Sequence, residues 1–181
     1  MKLKALTTFI FWNYAVTASS KLICFGTDGH FGHVGMGFEM EDGSQVYYEA
    51  LAGKGIVGPR TWYDQLAFIR ADSRRYVARE TVSTDVTFST AKRALCDSYV
   101  GSLSYSVPQL ATMALFERYR IPMFRTKTRV VCSEFVSMVL CPEIDLRDRR
   151  RPRHDMVNPN SCWRRWLEIK TGNGAISAPQ D

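Results

Sequence analysis

The stretch His33 to Leu51, HVGMGFEMEDGSQVYYEAL, decides how the fold reads. Residues 33–40 alternate, with Val34, Met36 and Phe38 on one face, the period-two pattern of a half-buried strand. Asp42-Gly43 is a tight-turn dipeptide, because glycine accepts the positive φ that a short hairpin turn needs. Residues 45–51 return as a second strand, so the stretch predicts an antiparallel hairpin. Gly32, Gly35 and Gly37 mark places where another group approaches the backbone closely.

Working outward, residues 4–12 are rich in Thr, Phe and Ile and carry no breaker, so they read as a strand. Residues 14–25 (YAVTASSKLICF) fit a helix, and residues 26–32 are loop chemistry. Downstream, residues 52–59 read as a Gly-rich loop and 61–66 as a helical turn capped by Thr61. Residues 67–86 read as one or two polar strands. Residues 89–99 predict an amphipathic helix capped by Ser89 or Thr90. After a Ser- and Tyr-rich turn, residues 109–119 predict another. Val130-Val131 leads into 132–141 (CSEFVSMVLC), a helix with Val136, Val139 and Leu140 facing inward and Pro142 as its stop. Residues 158–170 form a last helix, capped by Asn158 or Ser161. Together these elements read as α+β, an antiparallel sheet packed against helices.

The 181 residues suit one domain, spanning 1–171, with a flexible tail at 172–181. Hydrophobic residues make up 45% and charged residues 23%, so the chain can bury a core without disulfide or metal staples. The five cysteines are odd in number and include no CxxC pair. That argues against a disulfide framework and against a zinc site, and points to reduced thiols in the cytoplasm. Net charge is +6, much of it in Arg147 to Arg153 (RDRRRPR). This is a solvated basic loop or a contact for an anionic polymer or surface. No aromatic residue interleaves with these arginines, so a base-stacking nucleic-acid site is not indicated. Residues 1–18 loosely resemble a secretory signal, but Asn13 and two threonines interrupt the apolar run and Trp12 and Tyr14 are bulky. The run reads as an integral strand and helix start, with a cleaved signal and secretion as the alternative. It is too short and polar to span a bilayer.

Cys132 stands at the N-terminal edge of a helix. Partial positive charge and free amide donors there favour a thiolate and an oxyanion alike. The alternative is a buried small hydrophobe, which suits Cys24, Cys96 and Cys141; Cys162 fits either. A thiolate nucleophile needs a base and a group that orients the base. Of the three histidines, His33 opens a strand directly after a glycine loop, while His30 and His154 read as surface residues. Glu49 lies in an apolar strand, where a carboxylate either faces water or has a specific partner. With the turn near Asp42-Gly43, residues 33 and 49 come close to opposite each other, within reach of an imidazole–carboxylate hydrogen bond. An exposed glutamate is the alternative.

Three motifs, HVGM at His33, YEA at Glu49 and CSEF at Cys132, resemble those of the YiiX-like permuted papain-fold hydrolases of the NlpC-type superfamily. The segment VNPNSCW and the turn GSLSY at Tyr105 are similar to that family as well, and the likeness spans roughly residues 20–163. The order His, Glu, Cys is the permuted one. The resemblance implies a circularly permuted papain-like fold and a cysteine peptidase or amidase with no metal or organic cofactor. Cys132 would be the nucleophile, His33 its base and Glu49 the orienter, with a thioester acyl-enzyme and the Cys132 amide as oxyanion donor. The implied substrates are peptides or amides, cell-wall peptide among them. In the lecithin–retinol acyltransferase branch they are lipid acyl groups. A non-catalytic host-interaction module on the same fold is the third reading.

Overall fold

A computed structural model describes residues 3–15, 18–70, 77–119, 129–140, 143–147, 153 and 157–172. The elements run β1 (Ala5–Tyr14), α1 (Ala18–Thr27), β2 (Phe31–Met40), β3 (Gln45–Leu51), β4 (Gly55–Thr61), α2 (Trp62–Arg70), β5 (Val77–Ser83), α3 (Val86–Tyr99), β6 (Ser104–Tyr105), α4 (Val107–Tyr119), β7 (Arg129–Val130), α5 (Cys132–Leu140) and α6 (Pro159–Lys170). Five strands form an antiparallel sheet in the order β4-β3-β2-β1-β5, and β6 and β7 make a short parallel pair. The molecule is therefore α+β, with an antiparallel sheet packed against helices. Among the described residues no helix is long and apolar enough to cross a membrane.

Strand β1 sits inside the sheet between β2 and β5 and is covered on both faces. Ile10 and Trp12 join the main core with Val34, Met36, Phe38, Tyr48 and Ala50. Phe9 and Phe11 point the other way, into a smaller cluster with Tyr47 and Trp62 of α2. Burial on both faces explains the unbroken run FIFW, which shows no alternation. Opposite β1, Gly35 and Gly37 leave room for its rings. A Cβ on Gly35 would lie 2.4 Å from Cζ of Phe11, and one on Gly37 2.3 Å from Cζ of Phe9. The residues 1–18 weighed as a signal thus supply, over 5–14, an inner strand of the sheet.

Helices α3, α5 and α6 close the main core. Cys132, Val136, Val139 and Leu140 of α5 are all fully buried, the stripe expected of a helix laid on a sheet. Helix α6 begins with a reciprocal cap: Ser161 N–H donates to Oδ1 of Asn158 at 2.8 Å, and Asn158 N–H donates to Oγ of Ser161 at 2.9 Å. Both residues named as candidate caps take part.

Several boundaries differ from the sequence reading. Residues 55–61, read as mostly loop, form edge strand β4, because pairing with β3 (Ala50 opposite Ile56, Tyr47 opposite Arg60) supplies bonds that local composition does not announce. Helix α3 starts at Val86, not Ser89. Its cap is Asp85, whose carboxylate accepts from Phe88 N–H at 2.6 Å. Ser89 instead accepts a buried hydrogen bond from the Thr8 hydroxyl at 2.7 Å and ties α3 to β1. Helix α2 runs on from Thr61 to Arg70, and α1 starts four residues later than residue 14. Cys141, the stop at Pro142, His154 and the tail at 173–181 lie outside the described residues.

Candidate active site

The β2–β3 hairpin forms as read, with turn residue Gly43 at φ 80°. Its register pairs Met36 with Tyr48 and Glu39 with Gln45. Continued along the ladder, this puts Glu49 across from Gly35 and diagonal to His33, not opposite it. The diagonal suffices because Gly35 has no side chain in between. Nε2 of His33 and Oε2 of Glu49 lie 2.8 Å apart. Glu49 is not the exposed glutamate that the sequence left open: its side chain is 6% exposed, against 19% for His33.

Cys132 arrives from the other layer. His33 and Glu49 sit on the sheet face that carries Gly35, Tyr47 and Phe11, whereas Cys132 belongs to the main core. They meet where the β2–β3 ladder stops. Beyond the Met36–Tyr48 pair, the Val34 amide donates to the Cys132 sulfur. The Ser133 amide, in the first turn of α5, donates to it as well. With Nε2 turned to Glu49, the Nδ1 side of the His33 ring is left for the sulfur, with which it shares a hydrogen bond.

Burial raises the Cys132 thiol pKa. That rise is outweighed by the positive imidazole of His33, by the hydrogen bond to it, and by the Val34 and Ser133 amides, and the net shift is down. Burial lowers the His33 pKa. The Cys132 charge and hydrogen bond, then the Glu49 hydrogen bond and charge, reverse this and raise it to about 10. Both shifts describe one state, a thiolate–imidazolium pair. The other described cysteines move the opposite way: burial raises Cys24, Cys96 and Cys162 alike. All four described cysteines are free thiols, and among the described residues no cluster of three or more His, Cys, Asp or Glu is placed to hold a metal.

Three further residues belong to the site. The Tyr105 hydroxyl on β6 donates to the Cys132 sulfur; burial and the sulfur's charge both raise its pKa. Nη1 of Arg60 on β4 donates to Oε1 of Glu49 at 2.9 Å. Asn160 on α6 fixes the chain two residues before His33. Its Oδ1 accepts from Phe31 N–H at 2.9 Å, and its Nδ2 donates to Phe31 O at 3.0 Å and to Thr27 Oγ1 at 2.7 Å. The sequence reading met Tyr105 and Asn160 only inside the family-like segments GSLSY and VNPNSCW, with no role given to either, and put Arg60 at the edge of what it took for a loop.

The remaining candidates fall elsewhere. His30 is exposed and stacks on Tyr14 with ring centroids 6.0 Å apart. In the basic segment, Arg147 bonds Asp145, with Nε 2.6 Å from Oδ1, so its charge is balanced locally; residues 148–152 lie outside the described residues. Comparison of the chain with family models and with curated proteins returns no match to either.

Proposed function

We propose that this chain is a cysteine hydrolase that cleaves an amide or peptide bond through a thioester acyl-enzyme. The observation that carries the reading is the linked series Cys132–His33–Glu49. In it one thiol among the four described cysteines is pushed toward ionisation by an imidazole that a buried carboxylate holds in place. The His, Glu, Cys order and the placing of the cysteine at a helix start against the histidine's strand support a permuted papain-like fold of the YiiX-like kind.

In this reading the Cys132 thiolate attacks the substrate carbonyl and a C–S bond forms. The carbonyl oxygen becomes an oxyanion, for which the Cys132 amide at the start of α5 is the donor in this reading. The C–N bond then breaks, and the imidazolium of His33 gives its proton to the leaving amine. Next, His33 takes a proton from water, the hydroxide adds to the thioester, and the C–S bond breaks to release the acid and restore the thiolate. Glu49 keeps the ring oriented through both proton transfers. Cys132 itself has no exposed surface, whereas the His33 side chain is 19% exposed, so in this reading the way to the sulfur runs along the side where His33 meets water.

Alkylation by iodoacetamide tests the reading. Near neutral pH the wild-type chain is expected to label at Cys132 ahead of Cys24, Cys96 and Cys162, with the preference lost in His33→Ala. Equal, slow labelling of all cysteines, unaffected by His33→Ala, would overturn it.

A further inference from the structure

The chemistry above uses one oxygen of Glu49. The other, Oε1, is held by Arg60. Arg60 lies on the edge strand β4, opposite Tyr47 in the ladder. Its guanidinium carbon stands 5.3 Å from the Tyr47 ring centroid, so ring and carboxylate grip it from two sides. The Arg60 side chain is 42% exposed and that of Glu49 only 6%. The buried carboxylate is thus balanced by a fixed cation rather than by water. Arginine stays charged at every pH the protein meets.

Among the described residues, the titratable and charged groups facing the pair are Cys132 from α5, with Cys162 from α6 behind it, Tyr105 from β6, Glu49 from β3 and Arg60 from β4. Tyr47 lies beside Glu49 with Asp64 of α2 near it, and Arg79 of β5 sits over Phe9 and Trp62 on the same face, paired to Glu39. Both tyrosines stay neutral, because burial raises them. Among the described residues Arg60 is the cation that touches Glu49, whereas Arg79 is paired with Glu39. The reaction needs an imidazolium that holds its proton beside the thiolate yet releases it to the leaving amine. An unbalanced buried carboxylate would fasten that proton to the ring.

We propose that Arg60 is a positioning residue of the site. It fixes Glu49 so that a single oxygen faces His33, and its charge keeps the imidazolium acidic enough to give up a proton. The inference rests on the cysteine-hydrolase reading. It assigns Arg60 an electrostatic task that its surface position and its place in an edge strand do not suggest.

The test is the pH profile of iodoacetamide alkylation at Cys132, read by peptide mass spectrometry on the full chain, for wild type, Arg60→Gln and Arg60→Lys. Removing the cation leaves net negative charge beside the pair, which favours the protonated form of both groups. Both limbs of the profile are therefore expected to move to higher pH in Arg60→Gln, by about half a unit to one unit. On the acid limb this reads as a roughly three- to tenfold slower rate. Arg60→Lys keeps the charge and is expected to restore the wild-type limbs. A structural role alone would lower the plateau without moving the limbs. Superimposed wild-type and Arg60→Gln limbs, or equal shifts in Arg60→Gln and Arg60→Lys, would overturn the proposal. Arg60→Met, which keeps the apolar stem over Tyr47, serves the same comparison if Arg60→Gln does not fold. A wild type without selective labelling of Cys132 sinks the hydrolase reading itself, an outcome separate from a selective wild type whose limbs ignore Arg60.

Discussion

At the scale of single residues, the ionisation of Cys132 is a contest between burial and four hydrogen-bonding or charged neighbours. Burial is the largest single influence and opposes the thiolate; His33, the Val34 amide and the Ser133 amide together outweigh it. Tyr105 adds a hydroxyl donor to the same sulfur. A hydroxyl donating to an anion is a charge-assisted bond, stronger than its neutral counterpart. Tyr105→Phe removes this donor and keeps the ring. The acid limb of Cys132 alkylation is then expected to rise by about half a unit or more, with little change in thermal stability. An unshifted limb in the folded variant would show that the amides and His33 suffice.

At the scale of elements, the β1–β2 interface carries the site, because His33 lies in the strand that Phe9 and Phe11 pack against. Gly37→Ala would place a Cβ 2.3 Å from Cζ of Phe9 and 2.7 Å from the Val46 carbonyl oxygen. The ring can turn but the ladder carbonyl cannot. Overpacking of this kind costs about 1–3 kcal/mol, so a clear fall in melting temperature is expected by calorimetry. A melting temperature equal to wild type would mean that the strands separate freely here. The glycines were readable in advance as close approaches, since HVGMGF carries its small residues on one face only. Strand β4 was not, because GIVGPRT has no periodic pattern and owes its conformation to the β3 edge beside it.

At the scale of the whole molecule, the pair couples folding to pH. His33 has an ordinary value of 6.5 and a folded value raised to about 10. Taken alone, its contribution is complete below 6.5 and is lost as pH rises through 10. Cys132 has an ordinary value of 9.0 and a lowered folded value. Its contribution is present above 9.0 and is lost as pH falls through that lowered value. Wherever thiolate and imidazolium coexist between 6.5 and 9.0 the two slopes cancel, since the folded pair and the unfolded chain then each hold close to one proton. The stability difference between wild type and Cys132→Ser is therefore expected to be flat across that window. It should fall toward acid below 6.5 and toward alkali above 9.0. Chemical denaturation at a series of pH values measures it, and a difference that slopes steadily through the window would show that thiolate and imidazolium do not coexist.

The hairpin at 33–51, the helix that begins at Cys132, the caps of α6 and the α+β class were all legible in the residues alone. Each of these is written in local periodicity, turn chemistry or capping residues, which act over a few neighbours along the chain. The sequence also raised His33, Glu49 and Cys132, each beside an ordinary structural alternative, and the likeness of HVGM, YEA and CSEF to a known family's motifs is what joined the three. That side chains from opposite sides of the sheet meet was not legible there; it follows from the packed fold. That depends on where the β2–β3 ladder ends and on the seating of α5 in the gap. The same docking brings in Arg60, Tyr105 and Asn160, whose positions are set by strand pairing and helix packing across long stretches of chain and leave no mark on the residues beside them.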